Sequence, residues 1–284
     1  METDIRQIDW SAAWADAQMR NRPDRPYGDP SFWNKRARKF ADRHTSQNGY
    51  PEAFISRLDL APGFSVLDVG CGPGTLAIPL AKKVDRITAL DFSETMLSIL
   101  KERMEETQVT NIDPILMGID DEWESRGMVP HDLVIASRST ATHDLKGMLS
   151  KLTRFARKQV VISAMVGKGP FDPRIIEAAG RKREAGPDYI YVINQLYRMG
   201  IYASLDFIVQ NIERSYESHE AAVEDCRWMI EAMTQDEAAR LYRFFKGNLE
   251  KRDGRWFLSG SEPVRWAVIR WNSNGERGHG AEND

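Results

Sequence analysis

The sequence predicts an α/β protein built on a doubly wound, mostly parallel β-sheet, and two observations lead to that fold class. An apolar run over residues 64–69 ends in a tight glycine turn, and a helix-compatible run follows over residues 75–83. That order is typical of a strand, a turn and a helix. Strand-like and helix-like segments continue to alternate up to about residue 165, which favours parallel strands joined by right-handed helical crossovers.

The predicted core covers residues 50–165. Its strands are expected at 64–69, 86–90, 113–118, 131–136 and 158–164, and its helices at 75–83, 94–106 and 144–156. The strand at 131–136 is the most apolar of the set, so it suits the middle of the sheet, where both faces are covered. Ser93 precedes the helix at 94–106 and is a suitable N-cap residue.

Residues 1–49 are predicted to form a helical lid. Residues 21–31 carry three prolines and one glycine, a composition typical of a loop. Residues 32–45 then place apolar side chains at helical spacing. Between Arg20 and Arg43 there are eight Lys or Arg residues against three Asp. This excess of positive charge suits either a solvated helix face or a cationic lid over an acidic substrate.

Residues 166–271 are predicted to complete the sheet and to add a helical substrate cap, formed by insertions at 167–200 and 218–251. The expected elements are helices at 175–180 and 189–199, a strand at 203–213, two helices within 218–251, and strands at 256–259 and 264–271. Thr234 and Glu237 have the spacing of a capping box, and the helix that they begin is expected to bury residues as far as Leu249. Residues 272–284 are polar and glycine-rich, which predicts a disordered tail.

Size and composition limit the classes of function. The chain has 284 residues, a net charge of −3 and a pI near 6.0, so its overall charge gives no support for a nucleic-acid partner. Two cysteines, Cys71 and Cys226, make neither a disulfide framework nor a zinc site. No apolar stretch approaches the ~18–20 residues of a membrane span, and no apolar signal core is present at the N-terminus. We therefore expect a cytoplasmic protein without a metal or a membrane partner, and the oligomeric state stays open.

The glycine turn carries the strongest chemical signal. Gly70, Gly72 and Gly74 stand at alternate positions, where they permit a left-handed backbone and a close approach by a ligand. The helix N-terminus behind them offers free N–H groups. A dinucleotide-binding turn would place its third glycine one residue later. Asp68, two residues before the turn, is also unsuited to a pyrophosphate, whereas a carboxylate suits a ligand that carries an ammonium group.

A second acidic residue lies at the end of the next predicted strand. Asp91 follows residues 86–90 and lies 17 residues after Gly74, about the distance expected for a ribose-binding acid in a β-α-β unit. A carboxylate can accept hydrogen bonds from both ribose hydroxyls at once. The sequence therefore predicts a site for a nucleoside that carries an amino-acid part.

The stretch Asp68–Gly74 (DVGCGPG) resembles the first motif of the class I S-adenosylmethionine-dependent methyltransferases, and Asp91–Met96 resembles the second. The resemblance covers about residues 50–165. It implies a Rossmann-like, seven-stranded sheet whose last strand, here 264–271, is antiparallel, and it implies S-adenosyl-L-methionine as cofactor. In this family the glycine turn packs against the methionyl part with the acid near its amino group, Phe92 or Met96 would flank the adenine, and the helix after residue 32 would close over the cofactor.

The third and fourth motifs are less regular. Residues 117–123 (MGIDDEW) have Ile119 where many relatives have an Asp that accepts from the adenine amino group. Either Asp120 or Asp121 would take that role, and a solvated loop is the alternative; Trp123 is expected beside the adenine. Residues 131–140 (HDLVIASRST) resemble the fourth motif, a strand with small or polar residues at its C-terminal end.

Residues after this strand are expected at the boundary between cofactor and acceptor, since ligands lie outside the carboxyl ends of such strands. Ser137 is expected to contact the cofactor. Arg138 would clamp a carboxylate or phosphate, or form a structural salt bridge. His143 is the candidate general base, because histidine is the side chain most often suited to proton transfer near neutral pH, although a loop histidine without a role is the alternative.

The resemblance and the predicted lid favour an S-adenosylmethionine-dependent methyltransferase that acts on a small molecule. A site that large lid segments cover is more typical of an enclosed, water-poor pocket than of an open groove that binds a polymer. Two other functions remain open: methylation of RNA or protein through the basic segment 20–43, and cofactor binding without catalysis. The Asn/Asp-Pro-Pro-Tyr string typical of methylation on amide or exocyclic adenine nitrogens is absent.

Overall fold

A computed structural model describes residues 7–21, 29–45, 49–140, 142–170, 172–182, 186–230 and 232–273. Its helices are α1 Trp10–Asn21, α2 Pro30–Asn34, α3 Ala37–Thr45, α4 Tyr50–Ile55, α5 Ala77–Ala81, α6 Glu94–Thr107, α7 Leu145–Arg154, α8 Pro173–Ala178, α9 Tyr189–Arg198, α10 His219–Asp225 and α11 Gln235–Asn248. Its strands are β1 Ser65–Val69, β2 Arg86–Asp91, β3 Ile112–Leu116, β4 His131–Ser137, β5 Ala156–Met165, β6 Ser204–Gln210, β7 Ser215–Tyr216, β8 Leu249–Arg252, β9 Arg255–Leu258 and β10 Val264–Asn272. Nearly all of the predicted tail lies outside the described residues.

The main sheet has seven strands in the order β3-β2-β1-β4-β5-β10-β6. Strands β1 to β5 pair in parallel, and β10 pairs antiparallel with β5. The predicted fold class and the antiparallel last strand are therefore confirmed. The chain leaves β1 toward β2 and β3 on one side and returns to β4 on the other. This change of direction creates the crevice in which open α/β sheets bind ligands.

The central strands are buried because helices cover both faces of the sheet. All five residues of β1 are buried, and β4, predicted as a central strand, is the fourth of the seven. Ser93 caps α6 as predicted, since its side chain accepts from the backbone N–H of Met96. Asp144 caps α7 in the same way through Gly147. Local capping and apolar patterning thus set the elements around the crevice.

The chain divides into two compact units. The first comprises Met1–Val166, Gly186–Ile208 and Trp266–Asp284, and it contains β1 to β5 with most of β6 and β10. The second comprises Gly167–Ala185 and Val209–Arg265. The predicted cap segment 167–200 is therefore shared between the units, and its role as a substrate cap stays a prediction.

The second unit has its own small core of helices and a three-stranded sheet in the order β7-β9-β8. Thr234 and Glu237 form the predicted capping box at the start of α11. The helix predicted to include Leu249 ends one residue earlier, at Asn248, because Leu249 begins β8. The first helix within the predicted insertion 218–251 is α10, which ends at Asp225 and is followed by a 3₁₀ turn over Cys226–Trp228.

Candidate active site

A cavity of about 230 Å³ lies at the carboxyl ends of the central strands. Most of the predicted cofactor residues line it, together with one of the two predicted catalytic residues. The predicted residues that line it are Asp68, Gly70, Gly72, Asp91, Phe92, Met96, Asp120, Asp121, Ser137 and Arg138. The predicted residues that do not line it are Gly74 and His143.

The three glycines of the turn have different physical reasons for being glycine. All have a left-handed backbone, with φ of 71° at Gly70, 54° at Gly72 and 80° at Gly74. A Cβ on Gly70 would lie 2.4 Å from the Cβ of Ser139, and one on Gly74 would lie 2.5 Å from Leu100. A Cβ on Gly72 would meet no protein atom within 4 Å. Gly72 therefore borders open space in the cavity, where a ligand can approach the backbone.

Hydrogen bonds tie this turn to the end of β2. The N–H groups of Gly70 and Cys71 donate to the carbonyl oxygen of Leu90, at 2.7 and 2.9 Å. Gly72 N–H donates to Asp91 Oδ2 at 2.8 Å, and Ser93 N–H donates to Asp91 Oδ1 at 2.9 Å. Burial raises the pKa of Asp91, and these two N–H donors oppose that effect. The predicted ribose acid is thus held in a fixed position beside the turn.

Asp68 is buried with one carboxylate oxygen unused. Asp68 is 2% exposed, and its Oδ2 has no hydrogen-bond partner in the part of the chain that the structure describes. Burial, reinforced by the negative charge of Asp91, raises the pKa of Asp68 to about 7. The hydroxyl of Thr75, which also lines the cavity, is buried without a partner. Two unsatisfied polar side chains in one cavity are costly unless a polar ligand completes their hydrogen bonds.

Apolar and acidic side chains share the part of the cavity next to β2 and β3. Phe92 and the buried Met96 line it, as predicted for residues that flank an adenine. Asp121 Oδ2 accepts from the backbone N–H of Gly118 at 2.9 Å, and Asp120 Oδ1 accepts from the hydroxyl of Thr142 at 2.9 Å. Both carboxylates line the cavity, so the choice between them stays open.

Trp123 does not lie beside this part of the cavity. Its side chain is fully buried, with its ring 5.1 Å from that of Phe155, and its Nε1–H donates to the carbonyl oxygen of Gly118 at 2.8 Å. The indole therefore packs in the core and fixes the loop that carries Asp120 and Asp121. An aromatic residue after an acidic run gives no indication of which way its ring will face.

Arg138 lines the cavity directly after β4. Its guanidinium lies over the ring of Tyr50, 4.2 Å from the centroid. Among the described residues no carboxylate oxygen comes within 4.0 Å of it, so they give no support for the alternative of a structural salt bridge. Ser137 Oγ, Ser163 Oγ and the Tyr50 hydroxyl form a hydrogen-bonded group beneath it, with Tyr50 at 2.7 Å from Ser137 and 2.6 Å from Ser163.

His143 is exposed and lies outside the cavity lining. Its neighbour Thr142 is buried, and the carbonyl oxygen of Thr142 accepts from Nε1–H of Trp14 at 2.7 Å. Helix α1 thereby holds the loop after β4 in place. The role of His143 as a general base stays a prediction that the geometry does not favour.

The helices before the core close one side of the cavity. Trp33 and Phe40 line it, and Asn34 Oδ1 accepts from the hydroxyl of Ser93 at 2.6 Å. Ala37 is fully buried in a cluster that includes Met96. These contacts agree with the expectation that the helix after residue 32 covers the cofactor.

Part of the predicted basic segment is neutralised within the chain. Arg20 pairs with Asp16, and Arg38 pairs with Glu102 at 2.7 Å. Residues 22–28 of that segment lie outside the described residues. In the described part of the chain there is no group of acidic, Cys and His side chains suited to a metal, and no helix with the length and apolarity to cross a bilayer. Cys71 lines the cavity, but burial raises the pKa of its thiol and disfavours the nucleophilic thiolate.

Sequence reasoning missed Tyr50, Thr75 and Ser163. Tyr50 precedes the first core strand, and Ser163 lies in β5, so the chain alone gives no sign that they meet beneath Arg138. Thr75 follows the glycine turn directly and is the one that motif reasoning could have found, because a hydroxyl at a helix start can contact an anionic ligand group.

Comparison with known proteins agrees with the fold. A family model described as a methyltransferase domain matches residues 66–159. A protein of Haemophilus influenzae with the name "Uncharacterized protein" is 31% identical over 251 residues, which is 86% of this chain and 89% of that protein. The ribosomal RNA small subunit methyltransferase A of Salinibacter ruber is 38% identical over 58 residues, 20% of each chain.

Among solved structures, the YcgJ protein of Bacillus subtilis has a TM-score of 0.54 and 11% sequence identity, and the match covers 80% of this chain and 98% of that one. This likeness concerns the fold, whereas the family model covers the strand, the glycine turn, the acid after β2 and the strand β4. The family model thus places the chain among the methyltransferases, with the Rossmann-like fold of the class I, S-adenosylmethionine-dependent enzymes.

Proposed function

We propose that this enzyme transfers the methyl group of S-adenosylmethionine to a small-molecule acceptor. One observation carries the proposal: Trp33 and Phe40, from helices outside the core, line the same cavity as the glycine turn. A cavity covered in this way can exclude water from a reactive sulfonium and admit a small acceptor. When bound, the cofactor supplies an activated methyl group and a neutral thioether as leaving group.

The residues of the cavity suit the three parts of the cofactor. The unused oxygen of Asp68 would accept from the ammonium group, and the Thr75 hydroxyl would donate to the carboxylate of the methionyl part. Asp91 would accept from the ribose hydroxyls. The remaining predicted contacts would surround the methionyl and adenine parts: Gly70, Gly72, Phe92, Met96, Asp120, Asp121 and Ser137.

Methyl transfer is an in-line displacement, so the main task of the protein is to align the acceptor behind the methyl group. Ser137 and Arg138 follow β4 at the edge of the cavity and would face the acceptor. Where the acceptor must lose a proton, a base is needed as well. His143 is the candidate base from the sequence, and its exposed position would require a movement of the loop toward the cavity.

A second candidate function is methylation of RNA. The match to a ribosomal RNA methyltransferase favours it, but that match covers only 20% of this chain. The ion pairs of Arg20 and Arg38 weaken it further, since phosphate binding depends on cations that are not already neutralised. A catalytically silent cofactor-binding protein remains a third possibility that a turnover assay decides.

Transfer of a tritiated methyl group tests the proposal directly. Labelled S-adenosylmethionine would be incubated with the enzyme and with the small-molecule, RNA and protein fractions of a cell extract. We expect label in the small-molecule fraction, and label in RNA or protein alone would contradict the acceptor class. Absence of transfer to any fraction, with intact cofactor binding, would favour the silent protein.

Asp91→Ala is the variant that tests the cofactor site in the same assay. We expect cofactor binding at least tenfold weaker, because both the ribose contact and the anchor of Gly72 are lost. Asp113→Ala is the matched control, since Asp113 is an exposed aspartate on the adjacent strand β3. Equal affinity of the two variants in calorimetry would overturn the ribose assignment.

A further inference from the structure

Arg138 is a cation in the cavity that pairs with no acidic side chain among the described residues. Among the described residues, no backbone or side-chain acceptor bonds its guanidinium, and no carboxylate pairs with it. Burial lowers the pKa of Arg138, which is the direction expected when a cation is moved away from water. A guanidinium nevertheless keeps its charge in proteins. The cavity therefore contains a fixed positive charge that nothing in the described chain balances.

Tyr50 does not provide the missing negative charge. It is the ionisable group that lies against the guanidinium, with the ring centroid at 4.2 Å. Burial raises the pKa of Tyr50 above its usual value near 10, so the phenol is neutral at physiological pH. Its hydroxyl is already engaged by Ser137 and Ser163. Tyr50 thus offers an aromatic face and no charge.

The pose of Arg138 is set in advance by its surroundings. Its guanidinium lies over Tyr50 and 5.6 Å from the ring centroid of Trp266, and stacking of this kind fixes the plane of the group. Its backbone has φ of 57°, which is uncommon for a residue with a Cβ. Ser163 holds that backbone by accepting from the Arg138 N–H at 3.0 Å. Such local strain is typical of residues kept for function.

Two acidic side chains line the same cavity as Arg138. Asp68 and Asp91 lie at the ends of β1 and β2, and Asp91 is engaged by Gly72 and Ser93. The unused oxygen of Asp68 suits the ammonium group of the cofactor. Neither carboxylate pairs with Arg138. The two signs of charge are therefore held apart in one cavity, as a site for two ligand groups of opposite charge requires.

We propose that the methyl acceptor is a small molecule that bears an oxyanion, a carboxylate or a phosphate, and that Arg138 binds this group. The inference rests on the proposed function of the cavity. The planar guanidinium, which lies against the rings of Tyr50 and Trp266, can donate two parallel hydrogen bonds to either oxyanion. An uncharged acceptor would leave this partly buried cation uncompensated, and a charge that is shielded from water without a partner is unfavourable.

The test uses the full chain saturated with S-adenosylhomocysteine, so that the cofactor part of the cavity is filled. Benzoate and phenyl phosphate serve as probes, with benzamide and benzyl alcohol as uncharged counterparts, each titrated at millimolar concentration by calorimetry. We expect at least one anion to bind more than tenfold tighter than its uncharged counterpart. Preference for benzoate or for phenyl phosphate separates a carboxylate from a phosphate acceptor.

Arg138→Gln should abolish the preference for the anion and change the affinity for S-adenosylhomocysteine less than threefold. Arg154→Gln is the matched control, since Arg154 pairs with Glu124 on the exposed surface, and it should behave as the wild type does. If Arg138→Gln weakens S-adenosylhomocysteine binding tenfold, the guanidinium binds the cofactor carboxylate and the proposal fails. It also fails if the anions and their uncharged counterparts bind equally to the wild type.

Chemical modification keeps the proposal testable if Arg138→Gln does not fold. Phenylglyoxal modifies arginine, and mass spectrometry would follow the peptide that contains Arg138 in the wild type. The anion should protect that peptide, and the uncharged counterpart should not; equal modification with either would contradict the proposal. If the wild type does not bind S-adenosylhomocysteine at all, the proposed function itself is refuted.

Discussion

Asp68 is the residue whose energetics differ most between the empty and the liganded cavity. In the free protein its buried carboxyl has a pKa of about 7 and an oxygen without a partner. A bound ammonium group would supply both a hydrogen bond and a compensating charge. The ionised carboxylate of Asp68 therefore destabilises the folded chain without ligand and stabilises the complex with the ligand. This combination is typical of binding sites.

Asp68→Asn should separate stability from binding. Because folding raises the pKa of Asp68 from 3.8 to about 7, its contribution to stability falls as the pH rises across that interval. One pKa unit corresponds to about 1.4 kcal/mol, so a neutral amide should increase the free energy of unfolding at pH 8 by on the order of 2–4 kcal/mol. The same variant should bind S-adenosylmethionine at least tenfold more weakly.

Urea unfolding at pH 8 and calorimetry measure these two effects. Asp113→Asn, on the exposed face of β3, is the control and should change neither quantity. A variant of Asp68 that loses stability at pH 8 would show that the carboxylate has a partner in the free protein.

The affinity for S-adenosylhomocysteine should depend on pH through the same group. Below pH 7 Asp68 is largely protonated and offers no charge to an ammonium group, so affinity should rise roughly fivefold to tenfold from pH 6 to pH 7.5. It should fall again at more alkaline pH, where the α-amino group of the ligand loses its proton. Calorimetry across this range measures the profile. A flat profile between pH 6 and 7.5 in the wild type, equal to that of Asp68→Asn, would contradict the assignment.

At the scale of elements, the turn between β1 and α5 is the feature that the sequence predicts best. Each of its glycines stands where a Cβ would be unfavourable or would reduce the open space. Gly70 packs closely against Ser139, Gly74 packs against Leu100, and Gly72 borders open space. The sequence does not separate these needs, since it shows three identical residues. Their different surroundings are a property of the packed elements.

Gly72→Ala and Gly74→Ala form a matched pair that tests this difference. Both place a Cβ on a left-handed backbone, at a cost of about 1–2 kcal/mol. Gly74→Ala also forces a Cβ against Leu100, which should cost roughly 1–3 kcal/mol more. We expect Gly72→Ala to remain folded and to lose cofactor affinity, because its methyl group enters the cavity. Gly74→Ala should mainly lower Tm.

Thermal unfolding and cofactor titration of the two variants give the comparison. Retained affinity in Gly72→Ala would mean that the ligand does not approach this part of the turn. A larger loss of Tm in Gly72→Ala than in Gly74→Ala would contradict the steric account.

Short elements far along the chain were the least predictable. β8 was expected to be the end of a helix, because its sequence Leu-Glu-Lys-Arg continues the polar pattern of α11. It becomes a strand only by pairing with β9. The ring of Trp123 was expected beside the adenine, and it instead packs against Phe155 in the core. The partner of β8 is the next strand of a hairpin, and the Asp253-Gly254 turn between them is a local signal for that pairing. The partner of Trp123 lies in a separate element of the chain, and no local signal reports it.

At the scale of the whole molecule, alternation of strands and helices predicted the parallel core, and the antiparallel last strand followed from the family resemblance. Motifs predicted the residues of the cofactor cavity because they lie in short segments at consecutive strand ends. The acceptor side was less predictable, since Tyr50, Ser163 and Trp266 reach Arg138 from separate parts of the chain. Short local segments supply the residues proposed to bind the cofactor. The residues proposed to bind the acceptor come together only when the chain folds.

Calorimetric titration of the full chain with S-adenosylhomocysteine, in parallel with the dinucleotide NAD, tests the central claim most directly. The early third glycine and the buried Asp68 favour an amino-acid nucleoside over a pyrophosphate. We therefore predict saturable binding of one S-adenosylhomocysteine molecule per chain and no binding of NAD at the same concentration. Binding of NAD without binding of S-adenosylhomocysteine would contradict the assignment of the cavity.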